Sequence, residues 1–147
     1  MVMTREYAQA THGINVRVAA FYLEDQSEPD AGRFVWAYRV TIENRSQRTI
    51  QLLRRTWRIT DARGRTFLVE GEGVVGAQPV LEPGEAFEYT SGTPLETPSG
   101  FMTGQYHMIV HGPGPAIAQL AAEAPEAFDV AIPAFSLDSP HQPGRVH

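Results

Sequence analysis

Three close glycines in the middle of the chain form the pattern that most resembles a site for chemistry. Gly71, Gly73 and Gly76 follow the order G-x-G-x-x-G, which is typical of loops that present backbone amides to a dinucleotide. That function requires a helix directly after the loop, and Pro79 and Pro83 would interrupt such a helix. No Gly-Lys-Ser or Gly-Lys-Thr follows either. Neither a dinucleotide loop nor a mononucleotide loop is therefore predicted, and no cofactor is expected.

Two interpretations of this glycine segment remain open. The first is an irregular connection whose backbone needs positive φ or close packing against a neighbour. The second is a binding loop whose amides, with nearby arginines, hold a small anion or a nucleotide pyrophosphate. Glu70 and Glu72 would repel such an anion, which favours the first interpretation. The candidate binding loop consists of Gly71, Glu72, Gly73, Gly76, Gln78 and Pro79.

A run of arginines before the glycine segment is the second concentration of functional groups. All 12 basic residues are arginine, and seven of them lie between Arg45 and Arg65, where Asp61 is the only acid. Residues 1–65 carry 11 arginines and 7 acids, a net charge of +4, whereas residues 66–147 carry 1 arginine and 10 acids, a net charge of −9. The arginine run is therefore the place where an acidic partner would dock.

The candidate partner patch consists of Arg54, Arg55 and Arg58. Alternation along the predicted strand places Arg54 and Arg58 on the face opposite Trp57. At the usual rise of a strand, these two side chains would project outward about 13 Å apart. The alternative is that the arginines pair with acids of the same chain and contribute little to binding.

No metal site is predicted. His107 and His111 would lie about 13 Å apart on one strand, too far to ligate one ion together. The acidic segment 24–30 lacks the regular spacing of a calcium loop. The absence of cysteine excludes disulfides and thiolate ligands. Because the sequence also shows no paired carboxylates and no nucleophile with a base, an enzyme is not predicted.

A series of short alternating segments must position these groups. Apolar and polar residues alternate over 14–22, 34–42, 49–60, 66–69, 87–90, 102–110 and 128–137. These segments predict about seven strands and an all-β antiparallel sandwich. A change of phase predicts a bulge within 52–55. The segment 90–93 is expected to turn the chain, and an alanine-rich segment between prolines predicts one short helix at 115–124.

Composition and length indicate one soluble domain. The 147 residues are 42% apolar and 20% charged, enough for one core. The predicted domain spans 1–137, and 138–147 is expected to be a disordered tail. No apolar run approaches 18 residues and the start lacks an export signal, so a cytoplasmic protein without membrane association is expected. Basic residues do not accompany the aromatic ones as on a nucleic-acid surface, so nucleic-acid binding is not expected.

Three segments in order resemble the ApaG family of small bacterial proteins: LLRRTWRITDARGR, GEGVVGAQPVLEPGEAFEYTSGTPLETPSGFMTGQYHM and FDVAIPAFSL. The resemblance implies a fibronectin-type-III-like β-sandwich with no established catalytic activity. It also implies a link to divalent-cation efflux or to diadenosine polyphosphate metabolism. Where the family usually has a histidine before the tryptophan, this chain has Thr56. A metal role is therefore not carried over to that position.

The sequence thus favours a non-enzymatic binding module whose partner is another protein. The main alternative is a small-anion or nucleotide-pyrophosphate binder that uses the loop 71–76 with Arg54, Arg55 or Arg58. A third possibility is metal handling by His107, His111 and the acidic segment, although their spacing is not that of a known site. Whether two copies pair through an edge strand stays open at this stage.

Overall fold

The computed structural model describes residues 5–111 and 126–141. In this part of the chain, nine strands form two antiparallel sheets. The strands are β1 (Glu6–Thr11), β2 (Ile14–Tyr22), β3 (Phe34–Asn44), β4 (Ile50–Asp61), β5 (Thr66–Glu72), β6 (Val80–Leu81), β7 (Ala86–Leu95), β8 (Ser99–Val110) and β9 (Ala127–Asp138). Two short 3₁₀ turns, Glu24–Gln26 and Pro29–Ala31, lie between β2 and β3.

One sheet has the order β1-β2-β3-β7, and the other has the order β5-β4-β8-β9, with β6 paired to the start of β4. The predicted all-β antiparallel sandwich is confirmed, and it is consistent with a fibronectin-type-III-like arrangement. The described chain contains two strands more than predicted. Strand β1 escaped the sequence pattern because most of its side chains are exposed, and β6 is only two residues long.

The core lies between the facing sides of the two sheets. Trp57 of β4 occupies its centre, with its ring 5.3 Å from Tyr38 and 5.9 Å from Phe135 between centroids. Edge-to-face contacts of this kind add to the stabilisation from burial. The structure buries Val16, Val18, Trp36, Tyr38, Val40, Trp57, Tyr106 and Val130. Phe87 packs against this cluster but is only partly buried.

The predicted bulge in β4 is confirmed. The register of β4 with β8 shifts between Leu52 and Arg54, which leaves Leu53 without a partner in that ladder. Because of this extra residue, Leu52 and Trp57 both face the core despite their opposite parity. The bulge therefore decides which of the following arginines point outward.

The turn predicted at 90–93 is wrong, because β7 continues as a strand to Leu95. Ser91 and Gly92 pair with Tyr38 and Ala37 of β3. Glycine and proline suggested a break, but β7 is an edge strand, where Pro94 needs no partner for its missing N–H on the free side.

The predicted helix at 115–124 lies outside the described residues, as does most of the predicted tail, 142–147. Strand β9 ends at Asp138, and beyond it the ring of His141 lies 5.8 Å from that of Tyr22. Among residues 5–111 and 126–141, no helix is long and apolar enough to cross a membrane.

Candidate functional site

The glycine segment ends in a tight two-residue turn. Val74 donates its N–H to the carbonyl of Ala77 at 2.8 Å, and Ala77 donates back to Val74 at 2.9 Å. The two residues between them, Val75 and Gly76, have φ values of 41° and 83°. Positive φ at both central positions is typical of a type I′ turn. Val75 is 60% exposed at its tip, whereas Val74 is fully buried.

The position of Gly73 requires a residue without a side chain. Its φ is 63°, and a Cβ at this position would lie 2.3 Å from the carbonyl oxygen of Ala77. Its N–H donates to the carbonyl of Leu53, the bulged residue of β4, at 2.8 Å. The amides of Gly73 and Val74 are therefore bonded to carbonyls of the chain, so they are not free to hold an anion.

Gln78 and Pro79 attach the other end of the candidate binding loop to β4. The side-chain amide of Gln78 donates to the carbonyl of Leu53 at 2.9 Å. The N–H of Leu52 donates to the carbonyl of Pro79 at 3.1 Å. Both contacts use backbone groups that the bulge and the irregular path of the loop leave outside the regular ladder.

The side chain of Arg55 contacts the glycine segment and does not lie on the outer face of β4 with Arg54 and Arg58. After the bulge its parity matches that of Trp57, so it points to the core side of the sheet. Its guanidinium donates to the carbonyls of Glu72 and Gly73 at 3.1 and 2.7 Å. The predicted patch of three arginines therefore divides into an inner Arg55 and an outer pair.

The outer pair, Arg54 and Arg58, lies on the exposed face of β4. Arg54 lies opposite Glu72 of β5, and Arg58 lies opposite Leu68 of the same strand. Within the described part of the chain, neither guanidinium makes an ion pair or a hydrogen bond. The alternative that these arginines are neutralised by the protein's own acids is therefore limited to Glu72, which lies across from Arg54 without forming an ion pair with it.

Three polar side chains from three neighbouring strands form a hydrogen-bonded row beside Arg54. Thr56 of β4 lies 2.8 Å from Nε2 of His107 of β8, measured from its hydroxyl oxygen. Nδ1 of the same ring lies 2.7 Å from a carboxylate oxygen of Asp129 of β9. When Nδ1 carries the proton, the imidazole donates to Asp129 and accepts from Thr56.

This row has the order of a nucleophile, a base and an orienting carboxylate. Acyl transfer also needs hydrogen-bond donors for the developing oxyanion. Here β4 lies between β5 and β8, so its backbone amides are used in the ladders on both sides. The paired backbone of β4 thus offers no free amides to an oxyanion, and the row orders the polar side chains of this sheet surface. Sequence reasoning missed it because the three residues belong to different strands.

The two histidines that suggested a metal have other partners. His107 lies in the row just described, and Nε2 of His111 lies 2.8 Å from the side-chain oxygen of Gln51. Across residues 5–111 and 126–141, no group of three metal-binding side chains comes together.

The core contains a polar pair that the sequence did not reveal. The hydroxyl groups of Tyr89 and Tyr106 hydrogen-bond to each other between the sheets. Burial raises the pKa of both phenols, although the hydrogen bond lowers that of Tyr89 in part. Burial also raises the pKa of Tyr38. These phenols are therefore neutral at ordinary pH and act as structural groups.

The arginine strand and the glycine segment both lie within a recognised family region. A family model described as the ApaG domain matches residues 24–110, from the first 3₁₀ turn to the end of β8. The chain belongs to the ApaG domain family. A Protein ApaG of Paramagnetospirillum magneticum is 57% identical over 141 residues, 96% of this chain and 99% of that protein. A Protein ApaG of Rhodospirillum centenum is 55% identical over 139 residues, 95% of this chain and 98% of that protein.

A solved structure of an ApaG-family relative agrees with the fold. The crystal structure described as an ApaA protein from Bordetella pertussis matches with a TM-score of 0.77 and 40% identity. The match covers 88% of this chain and 95% of that one. The ApaG sandwich seen here is therefore shared with a relative of known structure.

Proposed function

We propose that this protein is a non-enzymatic binding module that docks an acidic surface of another protein on the outer face of its larger sheet. The observation that carries the proposal is the pair Arg54 and Arg58. Both are exposed on an interior strand, and neither is paired within the described chain. Arginines held by a rigid strand lose less freedom on binding than those on a loop.

Apolar side chains on the same face support protein docking. Leu68 lies beside Arg58 and is 58% exposed, and Phe101, opposite Thr60, is 45% exposed. Arginine and aromatic residues are enriched at the centres of protein interfaces. Glu70, which lies opposite Thr56, would repel the continuous phosphates of a nucleic acid, whereas a protein can place its acidic groups beside the arginines alone. The combination therefore favours a protein with acidic and apolar groups.

The row Thr56–His107–Asp129 supports the same use. Its two hydrogen bonds hold polar side chains of three strands in fixed positions beside Arg54. A partner would meet a preordered surface and would lose little entropy in ordering it. Within the roles that the family resemblance implies, divalent-cation efflux or diadenosine polyphosphate metabolism in the cytoplasm, this proposal makes the chain a protein-binding component.

The hydrogen bonds of the glycine segment do not favour the alternative function, binding of a small anion or a nucleotide pyrophosphate. The amides of Gly73 and Val74 donate to carbonyls of Leu53 and Ala77, and the guanidinium of Arg55 is engaged with two carbonyls. An incoming phosphate would have to displace these internal bonds.

A charge-reversal capture experiment tests the proposal. The wild-type chain and the double variant Arg54→Glu/Arg58→Glu are used as baits in cell lysate, and the proteins retained by the wild type alone are identified and purified. The affinity for such a partner should fall at least tenfold in the double variant, a difference of about 1.4 kcal/mol. Raised salt should weaken the wild-type complex in the same direction.

The matched control is Arg33→Glu/Arg39→Glu, which makes the same change of charge at exposed arginines away from the proposed face. It should keep the wild-type affinity within about twofold. The proposal fails if the Arg54/Arg58 variant, folded as judged by its melting curve, binds every partner as tightly as the wild type does.

A further inference from the structure

Within residues 5–111 and 126–141, one side of strand β5 has backbone hydrogen-bonding groups that no other strand uses. The strand pairs with β4 and with no other strand of the described chain. The N–H of Asp61 donates to the carbonyl of Arg65, and the N–H of Gly73 donates to that of Leu53. Because bonded and non-bonded pairs alternate in an antiparallel ladder, odd-numbered residues of β5 bond to β4. The N–H and C=O groups of Thr66, Leu68 and Glu70 therefore point to the free side.

The side chains around this free edge are apolar. Three consecutive residues, Phe67, Leu68 and Val69, are 46%, 58% and 41% exposed. Edge strands of soluble proteins are usually protected by charged side chains, lysine above all, by proline or by a bulge. Strand β5 contains no lysine and no proline, its register with β4 is regular throughout, and its only charged residues, Glu70 and Glu72, lie at its end. This edge therefore has the properties of one that pairs with another strand.

The charges along β5 indicate the orientation in which a second copy of this strand would pair with it. Arg63 and Arg65 lie at its beginning, and Glu70 and Glu72 lie at its end. Arg65 pairs with Asp61 and Glu96 of its own chain, and Glu70 and Glu72 lie on the other face of the sheet, opposite Thr56 and Arg54.

A second copy in antiparallel orientation, centred on the apolar residues, would place Glu70 beside Thr66 and Glu72 beside Gly64, so the acids of the two copies would lie apart. A parallel copy would place like charges together. The charges of β5 therefore favour antiparallel over parallel pairing with a second copy.

We propose that two copies of the chain pair through β5 as an antiparallel dimer with its two-fold axis at Leu68. In this register Leu68 lies opposite its counterpart, Phe67 lies opposite Val69, and Thr66 lies opposite Glu70. The outward backbone groups at these positions then form about six hydrogen bonds between the copies. Apolar residues meet apolar residues, and the two larger sheets become one continuous sheet.

The dimer would have a functional consequence. A two-fold axis perpendicular to the joined sheet keeps the outer faces of both copies on the same side. The pair Arg54 and Arg58 would then occur twice on one surface, so a partner with two acidic segments would gain affinity from binding both. The dimer itself rests on β5 alone and does not depend on what the arginines bind.

The test is the mass of the particle in solution at several concentrations. Sedimentation equilibrium of the wild-type chain between about 1 and 100 μM should show a mass rising to twice that of one chain. Leu68→Lys and Leu68→Glu each place like charges on the axis, so each variant alone should remain monomeric. An equimolar mixture of the two variants should recover the dimer, because a cation then meets a carboxylate at the axis.

Gln105→Lys is the matched control, since it adds a charge to an exposed position of β8, away from the edge. It should dimerise like the wild type. A wild-type chain that is monomeric at about 100 μM overturns the proposal, as does a Leu68→Lys variant that still dimerises. Hydrogen exchange gives a second readout on the wild type: the amides of Thr66, Leu68 and Glu70 should become protected as concentration rises.

Discussion

The guanidinium of Arg55 lies directly over the Cα of Gly71. A Cβ at position 71 would be 2.8 Å from Nη1 of Arg55, and the same nitrogen donates to the carbonyl of Gly73 at 2.7 Å. The absence of a side chain at Gly71 therefore allows Arg55 to cross β5 and reach the glycine segment. Gly71, the first glycine of the motif, therefore leaves space for the side chain of Arg55.

Arg55→Ala should lower the free energy of unfolding by about 1–3 kcal/mol, because two carbonyls lose a charged donor. Gly71→Ala should also destabilise, since the added methyl group displaces the guanidinium. In the background of Arg55→Ala, however, Gly71→Ala should cost much less. Urea denaturation of the two single variants and the double variant measures this coupling. Effects that add within about 0.5 kcal/mol would show that the two residues act independently.

The other two glycines of the motif should differ in their tolerance of alanine. Gly73→Ala places a Cβ 2.3 Å from a backbone oxygen at a φ of 63°, so the loop must move, and a loss of about 2–4 kcal/mol is expected. Gly76→Ala meets no atom within 4 Å and has only an unfavourable φ of 83°, for a loss of about 1 kcal/mol. Thermal unfolding of both variants compares them, and equal losses would contradict this account.

Val75 occupies a conformation that suits asparagine better than a β-branched residue. Its φ is 41°, and the next residue, Gly76, also has positive φ. Val75→Asn creates the Asn-Gly pair that type I′ turns favour, so the free energy of unfolding should rise by about 0.5–1 kcal/mol. Val80→Asn is the control, because it also removes an exposed valine but lies in β6. Stabilisation by both variants, or by neither, would argue against strain at the turn.

The buried pair Tyr89 and Tyr106 should make the protein sensitive to alkali. Burial raises the pKa of both phenols in the folded state, so the folded protein holds these protons more tightly than the unfolded chain. The stabilisation that these two protons give the folded state is complete below about pH 10, the ordinary pKa of tyrosine. It is lost as the pH rises towards the pKa values of the two phenols in the folded protein. Each phenol should steepen the fall by up to about 1.4 kcal/mol per pH unit.

Urea denaturation between pH 8 and about 11.5 measures this dependence on both sides of the ordinary tyrosine pKa. Tyr106→Phe removes one of the two titrating groups, so its stability should fall less steeply above pH 10 even if it is lower at neutral pH. Tyr22→Phe is the comparison, since Tyr22 does not belong to this pair. An unchanged slope in Tyr106→Phe would contradict the assignment.

Much of the fold followed from local sequence patterns. The alternation of Trp36, Tyr38 and Val40 predicted a core strand, and β3 is one. The change of phase at Leu52 predicted a bulge, because a strand with one face in the core cannot change parity without an extra residue. Strand β1 was not predicted, because a strand with mostly exposed side chains does not need to alternate apolar and polar residues. The continuation of β7 was not predicted, because an edge strand can contain proline.

Some features of the candidate sites also followed from the sequence, whereas others depended on the tertiary structure. The sequence by itself determined that Arg54 and Arg58 share one face of a strand, because spacing along a strand fixes which side chains point together. Only the tertiary structure decided that the guanidinium of Arg55 reaches the carbonyls of Glu72 and Gly73, and that Thr56, His107 and Asp129 meet. These contacts depend on the register of β4 with β5 and with β8, and of β8 with β9. Register is set by how the whole core packs rather than by any one segment.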